Sequence, residues 1–310
     1  MNERALIEAI HGLLSTRGDR VTRWIGDDAA VVASGGGAVA VSTDAMVEGV
    51  HFRLDWISAA DVGHRALAGA LSDLAAMGAD PGEAYLALGV GGSLDAQRAL
   101  ELVRGAEALA GHCEVTIAGG DVVRSPVAFV TVTVIGWAPE VGSLIGRDGA
   151  APGDLVGVTG RLGGAAAAVE LLAGHSAPGP HDDELRTRYA RPAPRLAEGR
   201  ELALAGVHAM IDLSDGLASD AALMADASGV AIEIDLRALP LAPGVSDPAL
   251  AASGGEDFEL CFCVAPAERA AVEAAVADVT WVGAVAAGSG AHFRDEDGER
   301  VLAGFEHELD

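Results

Sequence analysis

The chain contains no lysine: all 20 of its basic residues are arginine, set against 46 Asp and Glu. That absence excludes a lysine Schiff base, which needs the amine as nucleophile. It also excludes the G-x-x-x-x-G-K-[ST] loop and the Lys–Glu pair of protein kinases, both of which bring an ammonium to a phosphate. The formal charge of −26 argues against a nucleic-acid or anionic-membrane partner, since neither polyanion gains from counterion release on such a surface. Aromatic residues make up only 4% while hydrophobic residues reach 50%, so the core must be built largely from Ala, Val and Leu. A chain of 310 residues with that apolar content supports one large or two medium domains.

Cysteine is also scarce. Cys113, Cys261 and Cys263 show no C-x-x-C spacing, and the last pair, two apart in an apolar run, would face one side of a strand as small hydrophobes. A reducing cytoplasm is the expected compartment. The first apolar stretch carries Glu3, Arg4, Glu8 and His11 and does not read as a signal peptide. No apolar run reaches membrane-spanning length; the longest, 162–174, contains Glu170. The histidines lack H-E-x-x-H spacing for zinc, and no Ser-His-Asp order stands out.

What is present is a series of short acidic motifs, each an Asp beside Gly, Ser or Thr: Gly26-Asp27-Asp28, Ser42-Thr43-Asp44, Ser72-Asp73, Gly119-Gly120-Asp121 and Asp212-Leu213-Ser214-Asp215. Hard carboxylate and hydroxyl oxygens suit Mg²⁺, and Mg²⁺ commonly neutralises phosphates. Each motif has a plainer reading. Gly-Asp-Asp builds ordinary turns, Ser-Thr-Asp fits a cap or hydroxyl turn, and Gly-Gly-Asp after a strand is a turn that lets backbone approach closely. Asp73 sits among Leu71, Leu74 and Met77, so its carboxylate needs an Arg, a backbone amide or a metal beside it. Ser214 or Asp215 can cap a following helix, whose N-terminus also attracts phosphate.

Periodicity predicts a helix over 6–14, strands over 29–33, 38–42 and 47–52, and a helix over 60–77. A strand over 85–90, a helix over 95–110 and strands over 114–118 and 127–137 complete an alternating α/β first half. Ala138 to Ser143 reads as a linker, dividing the chain into domains at 1–140 and 141–310. The second half predicts strands over 155–159, 209–213, 230–236 and 258–264. Helices are expected from 163, over 194–205, 216–227 and 267–276, with a surface loop over 174–180.

The strings at 26–32 (Gly-Asp-Asp-Ala-Ala-Val-Val), 42–52 (Ser-Thr-Asp-Ala-Met-Val-Glu-Gly-Val-His-Phe), 71–81, 212–217 (Asp-Leu-Ser-Asp-Gly-Leu) and 253–260 (Ser-Gly-Gly-Glu-Asp-Phe-Glu-Leu) resemble the thiamine-monophosphate kinase family, in order and spacing over nearly the whole chain. That family belongs to the aminoimidazole ribonucleotide synthetase-like superfamily. The resemblance implies a two-domain α/β (α+β) fold, with an N-terminal sheet forming a homodimer interface and a C-terminal α/β domain closing over ATP. It implies phosphorylation of thiamine phosphate to thiamine diphosphate by direct transfer, with several Mg²⁺ ions.

Carried over position by position, the resemblance makes Asp28, Ser42, Thr43, Asp44, Asp73, Asp121, Asp212 and Asp215 the metal ligands. Thr43, Gly120, Asp121, Arg147 and Ser214 are the ATP contacts, and His51, Glu256 and Phe305 hold the thiamine substrate. Two departures stand out. The family's Gly-Gly-Asp-Thr-Thr-Arg reads Gly-Gly-Asp-Val-Val-Arg here, removing two hydroxyls beside Asp121. The family's aromatic position just before the C-terminal Gly falls on Leu302 here, which leaves the stacking residue open between Leu302 and Phe305, the latter following Gly304. Two rivals remain. The first is another enzyme of the superfamily: a selenophosphate synthetase is disfavoured by the lack of an N-terminal Cys with a Lys, and a hydrogenase-maturation enzyme by the Leu309-Asp310 end in place of a Cys. A non-catalytic ATP or divalent-ion sensor is the other.

Overall fold

The structure, a computed structural model, describes residues 3–15, 17–23, 31–33 and 35–306. In chain order the first part runs α1 (Glu3–His11), β1 (Val21–Arg23), β2 (Val31–Val32), β3 (Ala38–Val47), α2 (Ala59–Ala76), β4 (Asp80–Val90), α3 (Ala96–His112), β5 (Thr116–Arg124) and β6 (Phe129–Ala138). The second runs β7 (Leu155–Thr159), α4 (Gly164–Leu172), α5 (Asp182–Ala190), α6 (Leu196–Leu204), β8 (Ala209–Asp212), α7 (Leu217–Ser228) and β9 (Ala231–Asp235). It ends with α8 (Pro248–Ser253), β10 (Leu260–Val264), α9 (Arg269–Ala275), β11 (Val279–Ala286), β12 (Gly290–Asp295) and β13 (Gly298–Arg300). Two compact units divide after Val141, with 75–78 grouped into the second.

The first unit holds a four-stranded sheet in the order β3-β6-β4-β5, antiparallel except for the β4–β5 pair. Its inner face carries Leu86, Leu88, Val130, Val132 and Val134, all buried. Helix α2 begins in a reciprocal cap: the Asp61 amide donates to Ser58 Oγ at 3.2 Å and the Ser58 amide to the Asp61 carboxylate at 3.3 Å. It crosses α3 where a Cβ on Gly105 would lie 1.8 Å from the Ala60 carbonyl oxygen, so only glycine permits the approach. The other sheet face is open, with Val39 48% and Val41 62% exposed.

Two expectations for this unit fail, both because a strand runs further than its apolar pattern. β3 continues from Ala38 through Val47, and 47–52 is a turn in place of the expected strand: Gly49 adopts φ +85° and the His51 amide donates to the Val47 carbonyl at 2.9 Å. β5 continues through Arg124, so Gly119-Gly120-Asp121 lies within a strand and not in a turn after one. Val122 and Val123, β-branched and next in sequence, carry the pairing past the glycines.

The second unit is a seven-stranded sheet in the order β13-β12-β9-β11-β7-β10-β8, with β12 and β9 parallel and the other pairs antiparallel. β10 is buried on both faces. Cys261 and Cys263 join the core containing Leu217, Ala221 and Met224 of α7, while Leu260, Phe262 and Val264 join the core containing Leu202 and Val272. The helix α5 and the elements α8, β11, β12 and β13 lie where the sequence carried no expectation. No helix among the described residues is long and apolar enough to cross a membrane.

Candidate active site

In the first unit, strand alternation decides which candidate oxygens share a face. Ser42 pairs with Val134 and Asp44 with Val132, on the inner side, whereas Thr43 pairs with Thr133 on the outer side. Ser42 Oγ donates to the Asp73 carboxylate on α2, which gives the carboxylate beside Leu71 and Leu74 a polar partner. Thr43 Oγ1 instead lies 2.9 Å from Thr133 Oγ1, so the Ser-Thr-Asp side chains do not converge on one point as a turn would have allowed. Asp44 Oδ1 accepts the Ala45 amide at 3.0 Å.

Asp121 faces outward with Ala87, its Oδ1 accepting the Val122 amide at 2.9 Å. Gly120 has a packing reason to be glycine: a Cβ there would fall 1.8 Å from the Leu86 carbonyl oxygen. His51 sits in the turn after β3, where its Nδ1 accepts the Val47 amide at 3.2 Å. A neutral ring held this way carries its proton on Nε2. Asp28 lies outside the described residues.

The second unit gathers its candidates at the start of α7. β8 delivers Asp212, 5% exposed, and the chain then turns through Ser214, Asp215 and Gly216. The strand lead-in at 256–258 is tied to this turn, the Glu256 amide donating to the Ser214 carbonyl at 2.8 Å and the Phe258 amide to the Leu213 carbonyl at 2.9 Å. Those bonds hold Glu256 at φ +71° and Phe258 at φ +50°, left-handed backbone that side chains ordinarily avoid. The C-terminal segment arrives at the same place, the Phe305 amide donating to the Asp215 carbonyl at 2.8 Å. Asp212, Ser214, Asp215, Glu256 and Phe305 are therefore neighbours. Leu302 packs against the core while Phe305 is half exposed, which distinguishes the two positions left open by the sequence.

Arg147 precedes β7 with an exposed side chain, and no ion pair involves it among the described residues. Ser228 Oγ donates to the Arg147 carbonyl at 3.0 Å and itself accepts the Ala150 amide at 3.1 Å, so the end of α7 anchors the loop.

Asp220 and Asp257 were not singled out from sequence. Asp220, 2% exposed in the first turn of α7, accepts the Asp215 amide at 3.2 Å. Its carboxyl is pushed up to about 8, first by burial and then by the charges of Asp212 and Asp215. A signal existed, because Asp220 falls at helical spacing on the Leu217, Ala221 and Met224 stripe, where a carboxylate is out of place. Asp257 accepts the Gly163 amide at 2.6 Å and the Ala165 amide at 3.2 Å, capping α4. Glu259 is buried, gripped by Arg195 at 2.6 and 2.5 Å and by Thr159 Oγ1 at 2.7 Å.

The donor set suits a hard cation. Burial and the charges of Asp212 and Asp215 raise the proton affinity of Asp220, and a bound cation would relieve that clustering of negative charge. Among the described residues no three His, Cys, Asp or Glu stand ready to hold an ion by themselves. An ion here would complete its shell with water and phosphate oxygens, as Mg²⁺ does.

The chain matches the AIR synthase related protein family, its N-terminal domain over 26–138 and its C-terminal domain over 151–295. It is 39% identical over 265 residues to the thiamine-monophosphate kinase of Escherichia coli strain K12, covering 81% of this chain and 79% of that one. The crystal structure of thiamine-monophosphate kinase from Stenotrophomonas maltophilia superposes with a TM-score of 0.85 at 34% identity, covering 97% and 98% of the two chains. AaThiL, solved in complex with AMPPCP and TMP, superposes with a TM-score of 0.80 at 30% identity, covering 93% of each.

Proposed function

The chain belongs to the thiamine-monophosphate kinase family, built on the two domains of the AIR synthase related proteins, and from that membership we propose that it transfers the γ-phosphoryl group of ATP to thiamine phosphate. The products are thiamine diphosphate and ADP. The observation that carries this reading is the extent of the match to thiamine-monophosphate kinases, which runs through both units. The proposed domains are 1–140 and 141–310.

In the proposed step the bond between the γ-phosphorus and its bridging oxygen breaks as a thiamine phosphate oxygen bonds to that phosphorus. The acceptor oxygen is largely ionised near neutrality, so a strong general base is unnecessary, and positioning with charge neutralisation dominates. When bound, several Mg²⁺ ions would supply the positive charge that lysine supplies elsewhere. We assign Asp28, Ser42, Thr43, Asp44, Asp73 and Asp121 of the first unit, and Asp212 and Asp215 of the second, to hold them. The Ser42 hydroxyl keeps the Asp73 carboxylate oriented.

Arg147, an exposed guanidinium without an ion pair among the described residues, is suited to the phosphate oxygens of ATP, and Thr43, Gly120, Asp121 and Ser214 are assigned to ATP as well. His51, Glu256 and Phe305 are assigned to thiamine phosphate. The open sheet face bearing Val39 and Val41 is assigned to a second copy of the chain, because an exposed apolar face is a liability in a monomer. The reading is tested by incubating the purified protein with ATP, Mg²⁺ and thiamine phosphate. ADP and thiamine diphosphate should form in equal amounts; ATP hydrolysis with thiamine phosphate unchanged would refute it.

A further inference from the structure

Over 301–306 the chain has no regular secondary structure and Val301 is fully exposed, yet the segment returns to the body through Leu302, which packs on the core. Two backbone amides then bind the first turn of α7 and the turn before it. The Gly304 amide donates to Ser219 Oγ at 3.2 Å, and the Phe305 amide to the Asp215 carbonyl at 2.8 Å. The fit leaves no room for a side chain at 304, where a Cβ would fall 2.3 Å from the Asp215 oxygen and 2.7 Å from Ser219 Oγ.

We infer that Ser219 is a positioning residue for the terminal aromatic: its hydroxyl clamps Gly304 onto the α7 turn and so sets Phe305 beside Asp215. The inference rests on the reading above, in which Phe305 meets thiamine. Ser219 touches neither substrate nor metal in this account. It lies four residues after Asp215, so one turn of backbone orients a proposed metal ligand through its side chain and a proposed thiamine contact through its carbonyl. The hydroxyl supplies what an irregular segment lacks by itself, a fixed direction for a half-exposed ring, and so lowers the entropy lost when the ring meets substrate.

The test separates positioning from stability and from the function itself. Ser219→Ala should raise the KM for thiamine phosphate by about three- to tenfold, the size expected of one neutral hydrogen bond, with the KM for ATP unchanged. Ser219→Thr, which keeps the hydroxyl, should restore it. In a Phe305→Leu background the Ser219→Ala effect should vanish, because Ser219 acts through the ring. Amide exchange over 301–306 should quicken in Ser219→Ala whether or not any substrate turns over. An unchanged KM in an active enzyme, an equal effect in both backgrounds, or unaltered exchange would each overturn the inference. Should the wild-type protein make no thiamine diphosphate while exchange quickens as stated, the clamp stands and the functional reading falls.

Discussion

Replacing Asp220 by Asn keeps a side-chain oxygen to accept the Asp215 amide and removes one titration. In the unfolded chain this carboxyl ionises above its ordinary value of 3.8, whereas in the folded protein burial and the charges of Asp212 and Asp215 hold its proton until about pH 8. The folded-state pKa is raised, so its contribution to stability is fully present below pH 3.8 and is lost progressively as pH rises to 8. Each pH unit in that window costs about 1.4 kcal/mol. Asn cannot ionise and pays no such penalty. Urea unfolding of both proteins in EDTA, at pH 5, 6 and 7, should therefore show the variant gaining on wild type by about 3 kcal/mol across the series. Mg²⁺ bound nearby would draw the Asp220 pKa down and shrink the difference. Parallel stability curves for the two proteins in EDTA would refute the argument.

Arg195→Met should destabilise the second unit by about 3–5 kcal/mol in urea unfolding, since it leaves the buried Glu259 carboxylate without its cation; adding Glu259→Gln should recover part of the loss. Light scattering should give twice the chain mass for the wild type, and Val41→Glu, a change at a position 62% exposed in the single chain, should give a folded monomer by circular dichroism. Turnover should keep rising with free Mg²⁺ after ATP is saturated as its one-to-one complex, and Asp121→Asn should cut kcat by at least about 100-fold without changing the melting temperature.

The sequence disclosed the elements where local chemistry and burial agree. The apolar run over 155–159 marked β7 at Leu155–Thr159, and the helix expected over 60–77 is α2 at Ala59–Ala76, where Leu67, Leu71 and Leu74 are buried. It was silent where a helix buries little: α5 carries Asp182, Asp183, Glu184, Arg186 and Arg188, and its buried residues are Leu185, Tyr189 and Ala190, too few for a periodic pattern to stand out. It misled where a turn residue and a strand former compete. Val47, Val50 and Phe52 read as a strand, but Gly49 adopts a left-handed conformation and turns the chain. At 119–124 the opposite occurred, the valines carrying the glycines into β5.

For the candidate site, the motif at 212–215 was legible as a strand end followed by a helix start, and the structure places Glu256 and Phe305 beside it through backbone hydrogen bonds. Such bonds join residues far apart in sequence and leave no trace in composition. Asp220 could be flagged by its place on an apolar helix stripe, but its raised proton affinity, due first to burial and then to the charges of Asp212 and Asp215, follows from the fold.

The central claim is tested most directly by following the label from [γ-³²P]ATP in the presence of Mg²⁺ and thiamine phosphate. The account predicts that label appears in the terminal phosphate of thiamine diphosphate, mole for mole with ADP, with none retained on denatured protein. Label released only as inorganic phosphate, or held covalently on the protein, would contradict it.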